Sequence, residues 1–160
     1  MAKALASPGA RLRTAWNRLS PLPGGRWLFA RLLRFMNPYS GAVGAQVATL
    51  EPGHAVVTLQ ERRAVHNHLN SVHAIALANI AELASGLAML SALPDSARGI
   101  PIALSIDYLK KARGLLTAEA RITLPDVTVN GTHQFTSTVT DAAGDVVARA
   151  QVTWKLGPAK

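Results

Sequence analysis

The chemistry-bearing residues of this 160-residue chain gather around one apolar run, His73–Leu90. Within it stands a single carboxylate, Glu82, and nearly everything else in the run is apolar or small. A helix of that composition is expected to be buried on most sides. A lone acid there is costly unless something holds its charge or uses its proton, so Glu82 is the first candidate for acid–base or nucleophilic chemistry. The segment before the run, Glu61–His73, is polar and contains Asn67, Asn70 and Ser71. Asn70 or Ser71 suits the N-cap of the helix. The first backbone N–H groups, near His73 and Ala74, then lack intrahelical acceptors. Such donors can hold an anion, or a carbonyl oxygen on which negative charge develops.

Spacing limits how these groups can cooperate. Nine residues separate His73 from Glu82, which is about 14 Å along a helix axis and about half a turn around it. The two cannot serve one reacting atom within a single chain. Two copies packed about a two-fold axis, with their helices antiparallel, could bring the start of one helix to the middle of the other. A site using both groups is then shared between subunits.

Each residue also has a plainer role. Glu82 could be tied to Asn79, to Ser85 or to a helix N-terminus of a second chain with no catalytic work, and Asn67 and Asn70 could be turn residues. His66, His68 and His73 invite a metal reading, because two histidines at i and i+2 of an extended segment face one way. There is no cysteine to join them, and solvated loop histidines are the expectation, with no metal.

The elements that must position these groups follow from pattern. Residues 1–25 are irregular, with Pro8, Gly9, Pro21, Pro23, Gly24 and Gly25, and leave room for a short helix over Arg11–Leu19. Residues 26–36 read as an amphipathic helix: Leu28, Phe29, Leu32, Leu33, Phe35 and Met36 on one side, Arg26, Arg31 and Arg34 with Trp27 on the other, stopped at Pro38. The first expectation is a helix laid on the domain with its arginines in water. A membrane-surface or acyl-group contact is the alternative, and the apolar part is too short to span a bilayer. Strands are expected over Gln46–Glu51 and His54–Gln60, joined at Pro52-Gly53. The long helix runs from about Val72 to Ala92, ending before Pro94. Four strands follow: Ile102–Lys110, Leu115–Leu124, Thr132–Thr140 and Val146–Leu156. Arg113-Gly114, Asn130-Gly131 and Ala143-Gly144 between them read as hairpin turns, which gives a four-strand antiparallel meander. A helix apolar all round needs a strongly curved sheet wrapped about it, with a second copy alongside.

Composition bounds the function classes. Forty-nine per cent of residues are hydrophobic, enough for one well-cored domain. The net charge of +8 is not spread over the chain. Residues 1–40 carry Lys3, Arg11, Arg13, Arg18, Arg26, Arg31 and Arg34 and no acid, whereas residues 41–160 hold ten basic and nine acidic side chains. A nucleic-acid footprint over the whole domain is therefore not expected. The division is a basic helical N-terminal extension, 1–40, and a body, 41–160. The arginine-rich, acid-free start has no Ser-rich tract of the kind a transit peptide carries. Without cysteine the chain needs no oxidising compartment, and the expected location is cytoplasmic.

The pattern Asn67-x5-His73-Ala74-x7-Glu82 resembles the hotdog-fold acyl-CoA thioesterases of the phenylacetate-pathway type, whose signature is Asn, a few residues, His-Gly-Gly, then Asp or Glu on the central helix. Leu104–Gly114 is similar to that family's strand entering a basic turn. The resemblance covers roughly residues 43–156. The N-terminal stretch with Asn37-Pro-Tyr39 resembles an uncharacterised hotdog branch with a helical extension. The resemblance implies an α+β hotdog fold, a curved antiparallel sheet around a long central helix, in a homodimer or a dimer of dimers. It implies hydrolysis of an acyl-CoA thioester, with coenzyme A as part of the substrate and no separate cofactor. The Ala74 N–H would polarise the carbonyl. Glu82 of the second subunit would activate water or attack, Asn67 would orient water or carboxylate, and His73 would shape the oxyanion end.

Two departures stand out: Ala74 and Ile75 occupy the positions of the family glycines, narrowing the approach, and the acid is Glu rather than the commoner Asp, one methylene longer. Lys110, Lys111 and Arg113 could hold the phosphates of coenzyme A or form a solvated basic turn. Pro52-Gly53-His54 resembles the Pro-Gly-His of hotdog dehydratases but opens a strand, and reads as a hairpin. The leading expectation is a thioesterase. The alternative is a non-catalytic acyl-CoA- or lipid-binding hotdog protein, with peripheral membrane contact through 26–36.

Overall fold

A computed structural model describes residues 7–159, so Lys3 of the basic extension lies outside the described residues. Three helices come first: α1 (Pro8–Leu19), α2 (Gly25–Met36) and α3 (Pro38–Ala42). Strands β1 (Gln46–Glu51) and β2 (His54–Gln60) follow, then the central helix α4 (Ala74–Ala92). Last come β3 (Ala97–Tyr108), β4 (Leu115–Arg121), β5 (Gly131–Thr140) and β6 (Val146–Pro158). Ser7 caps α1, accepting from the N–H of Ala10 at 3.1 Å. Pro38 ends α2, as its fixed ring demands, but also starts α3 at the N1 position where proline is favoured.

The six strands form one antiparallel sheet in the order β1-β2-β4-β5-β6-β3. Irregular pairings at Val47/Thr49, Pro101/Ala103 and Val139/Thr140 interrupt the ladders, and such bulges increase twist and bend a sheet. One face is lined by alternate residues, among them Ala55, Val57, Leu59, Leu116, Ala118, Ala120, Val152, Trp154 and Leu156, all buried. Helix α4 packs on this face. Its length and hydropathy would suffice to cross a membrane, yet most of it is buried within the protein. That is the curved sheet around a long helix that defines the hotdog architecture.

The expected meander is corrected. Strands β4, β5 and β6 are neighbours in sequence order, but β3 pairs with β6 at the sheet edge and β4 pairs with β2. Arg113-Gly114 is therefore no hairpin turn. The chain from Leu109 to Gly114 crosses from the edge strand to the middle of the sheet and is tied to the loop before α4: Val72 N–H donates to the Ala112 carbonyl at 3.0 Å, and Glu61 N–H to the Gly114 carbonyl at 2.9 Å. Gly114 has φ +71°, a left-handed conformation that favours glycine. Asn130-Gly131 is likewise not a tight turn, because β4 stops at Arg121 and a long loop intervenes. Pro52-Gly53, with Gly53 at φ +78°, does close the β1–β2 hairpin.

The N-terminal extension belongs to the same core. Leu12, Trp16 and Phe29 join the hydrophobic cluster of the sheet and α4. The Trp16 and Phe29 rings meet edge-on at 5.0 Å, and Arg13 donates to the Ser91 carbonyl of α4 at 2.9 Å.

Candidate functional site

Two of the cavities along α4 hold candidate residues, and none of the described residues lines both. The first, about 380 Å³, is roofed by α1–α3 and floored by α4 and Trp154. Leu12, Leu33, Met36, Leu83, Leu87 and Leu90 make its wall largely aliphatic, and Glu82 is the one carboxylate among the described residues that line it. This size and character suit an apolar ligand held by few polar groups. Gly86, one turn beyond Glu82, opens the space between that acid and Trp154: a methyl group added there would meet the indole at 3.5 Å and Glu82 Oε1 at 3.7 Å. Trp154 is fixed from behind, its Nε1–H donating to Ser85 Oγ at 3.2 Å.

Burial alone raises the Glu82 pKa above the ordinary carboxylate range. No donor or cation among the described residues offsets it, so neither Asn79 nor Ser85 ties the acid down. Asn79, three residues earlier, is itself buried, and its Oδ1 has no hydrogen-bond partner among the described residues. A carboxylate whose pKa is raised is a stronger base, and so is better suited to accept a proton in a reaction.

The second cavity, about 360 Å³, surrounds the start of α4 and is lined by Asn67, Ser71, Ala74, Tyr108, Lys110 and Lys111 among others. The N-cap is His73, not Asn70 or Ser71: its Nδ1 accepts from the Ile75 N–H at 3.1 Å. Asn70 instead takes a left-handed φ of 51° in the preceding turn, which Asn tolerates better than most residues. Ser71 is occupied by Asn67, whose Oδ1 accepts from the N–H groups of Leu69 (2.9 Å) and Ser71 (3.2 Å) and from the Ser71 hydroxyl (3.2 Å). Asn67 thus holds the loop that leads into the helix. As the first helical residue, Ala74 has an N–H with no intrahelical acceptor. Tyr108, which sequence reasoning missed, donates from its hydroxyl to the Ala74 carbonyl at 3.1 Å. Its signal was hidden because strand β3 and the helix start meet only in the folded chain.

The basic turn divides. Lys110 Nζ is paired with Asp141 at 2.8 Å and Asp145 at 2.5 Å, and these partners raise its pKa. Lys111 and Arg113 are exposed. Glu61 accepts from the Gly114 N–H at 2.5 Å and lies 2.8 Å from His66 Nε2, off the line of its N–H; the Gly114 bond comes first in holding this carboxyl below its usual pKa. His66 is therefore engaged with an acid, and among the described residues no group of three or more His, Asp or Glu side chains converges.

Sequence-predicted residues therefore fall into two separate groups. Asn67, His73, Ala74, Lys110 and Lys111 gather at the start of α4, with Arg113 further along the same crossover. Glu82 stands apart, in the aliphatic cavity. The part sequence reasoning missed is the roof of that cavity, made by the N-terminal helices.

Solved structures with the same architecture are numerous. The structural-genomics protein APC5556 is 31% identical, with a TM-score of 0.81 over 92% of this chain and 98% of its own. PA5026 of Pseudomonas aeruginosa, a protein of unknown function called a "Probable Thioesterase", is 23% identical, with a TM-score of 0.73 over 86% of this chain and 97% of its own. A thioesterase family protein of Silicibacter pomeroyi is 20% identical, with a TM-score of 0.69 over 81% of this chain and 96% of its own. No curated protein matches the chain. The sequence pattern described as "Domain of unknown function (DUF4442)" matches residues 25–156, and the chain belongs to that family, on a hotdog fold shared with thioesterase family proteins.

Proposed function

We propose that this protein is a thioesterase that hydrolyses an acyl-CoA thioester to a free acid and coenzyme A, at two sites shared across a homodimer. The observation that carries this reading is the separation of the two half-sites: a buried, unpartnered Glu82 in an aliphatic cavity, and the Ala74 N–H, without an intrahelical acceptor, beside a second cavity at the start of the same helix. The names of PA5026 and the Silicibacter pomeroyi protein support the reaction class.

The acyl chain lies in the cavity under α1–α3. Glu82 removes a proton from water as its oxygen attacks the thioester carbonyl carbon. The charge that develops on the carbonyl oxygen is taken by the N–H of the partner's Ala74 at the helix N-terminus. Collapse breaks the C–S bond, and the thiolate leaves with the proton that Glu82 had accepted. Direct attack by Glu82, with hydrolysis of the resulting anhydride, uses the same groups. Lys111 and Arg113 take the phosphates of coenzyme A, while Lys110 braces the turn through Asp141 and Asp145.

The dimer is supported by β3. It is an edge strand with Ile100, Ile102 and Leu104 exposed along it, and such an edge is suited to a second copy of the same strand.

A second reading, an acyl-binding protein without turnover, is favoured by Ile75. It stands 55% exposed beside the Ala74 N–H, where its bulk crowds the approach of a carbonyl. A panel of acyl-CoA thioesters, from short and aromatic to long-chain, assayed with wild type and Glu82→Gln side by side, separates the two. Hydrolysis that falls on the order of 10²–10⁴-fold in the variant, with the dimer intact, supports the enzyme. Binding with no turnover across the panel supports the second reading, and equal turnover by both proteins removes Glu82 from the mechanism.

A further inference from the structure

Helix α2 buries only part of its apolar arc. At 100° per residue, Gly25, Phe29 and Leu33 fall within about 80° of one another and face the core, where Phe29 is fully buried. Leu28, Leu32 and Phe35, at i, i+4 and i+7, fall within about 60° of one another on the adjoining arc. They stand 46%, 36% and 84% exposed. Arg31 borders this stripe, its guanidinium 5.2 Å above the Trp27 ring. Leu22 and Tyr39 extend the exposed apolar surface beyond the two ends of the helix.

The charge around the stripe narrows what can cover it. Residues 1–40 contain seven basic side chains and no acid. Arg11, Arg18, Arg26, Arg31 and Arg34 are exposed. A two-fold contact of this face with itself would set arginines against arginines, since such an interface is self-complementary. Aliphatic and aromatic side chains bordered by arginine, on a segment that carries no acid of its own, match the boundary between anionic headgroups and acyl chains.

We propose that α2 docks this protein on an anionic lipid surface, with Leu28, Leu32 and Phe35 entering the headgroup boundary and the arginines facing lipid phosphates. Trp27 and Tyr39 sit at headgroup level, as such rings do. The adjoining face of the same helix roofs the Glu82 cavity through Ala30, Leu33 and Met36. Docking therefore places that cavity close to a source of acyl chains.

The test is sedimentation of the full chain with vesicles of phosphatidylcholine alone and of phosphatidylcholine mixed with phosphatidylglycerol. Wild type is expected to bind the mixed vesicles, with affinity that falls as salt is raised. Arg31→Gln should weaken that binding about fivefold. Leu28→Glu/Leu32→Glu/Phe35→Glu should abolish it, and Phe35→Glu alone, at the 84% exposed position, should weaken it while keeping the wild-type melting temperature. No binding by wild type, equal binding to both vesicle types, or undiminished binding by the triple variant would overturn the proposal. So would a triple variant that loses oligomeric mass in lipid-free buffer, which would make this face a contact between copies.

Discussion

Glu82 carries a raised pKa because burial is not offset by any partner. Two measurable effects follow, both set by that direction. As a base it must be ionised, so thioester turnover should rise with pH through a value above the ordinary carboxylate range and then level off. Stability moves the other way. Between the unfolded and folded pKa values the folded chain binds more protons, so stability falls as pH increases through that window. Glu82→Gln removes this dependence. Its melting temperature relative to wild type should climb across the window and stay constant above it; a difference that does not change with pH would mean the carboxyl is not perturbed. The position of Glu82 was legible in sequence, because one acid in an apolar helix is a local signal. The engagement of Lys110 was not, since Asp141 and Asp145 lie more than thirty residues away. Nor was His73 as N-cap, because Asn70 and Ser71 are better capping types by residue alone. Asn67 had already claimed Ser71, and Asn70 is spent in the turn.

Among the elements, α4 shows why a glycine sits where helix propensity disfavours it. Gly86→Ala should stabilise the helix by about 0.8–1.0 kcal/mol, because the new methyl makes only ordinary contacts with Trp154 and Glu82. The same methyl narrows the aliphatic cavity beside the acid. KM for long-chain thioesters should therefore rise while the melting temperature also rises; a stabilised variant with unchanged KM would place the acyl chain elsewhere. The strands β1 and β2 followed from alternation, and the span of α4 from a nearly unbroken apolar run that ends before Pro94. Sheet order did not, because a glycine turn signal marks a reversal without saying which strand is paired afterwards. Gly114 reverses the chain into β4, but its partner is β2 rather than β3. That crossover carries Lys110 and Lys111 to the start of α4, so the segment read as a hairpin turn lines the cavity there instead. Helix α2 was read as one apolar side and one basic side. Packing divides the apolar side again, because the sheet and α1 have room for Phe29 and Leu33 but not for Leu28, Leu32 and Phe35.

At the scale of the whole molecule, the N-terminal helices, α4 and the sheet share one core, and the extension supplies the roof of the candidate acyl cavity. What one chain does not supply is contact between Glu82 and the helix-terminal donor, which stand about 12 Å apart along α4. A mixed dimer tests whether two copies complete the site. Ala74→Pro deletes the donor with little strain: proline is favoured at the first helical position, and His73 already has the extended backbone, φ −64° and ψ 140°, that a following proline requires. Glu82→Gln and Ala74→Pro homodimers should each be nearly inactive. Co-expressed with different tags and purified as the mixed dimer, the two chains build one doubly defective site and one intact site. Shared sites predict about half of the wild-type turnover per dimer; a mixed dimer no more active than its parents would contradict a site assembled across the subunits.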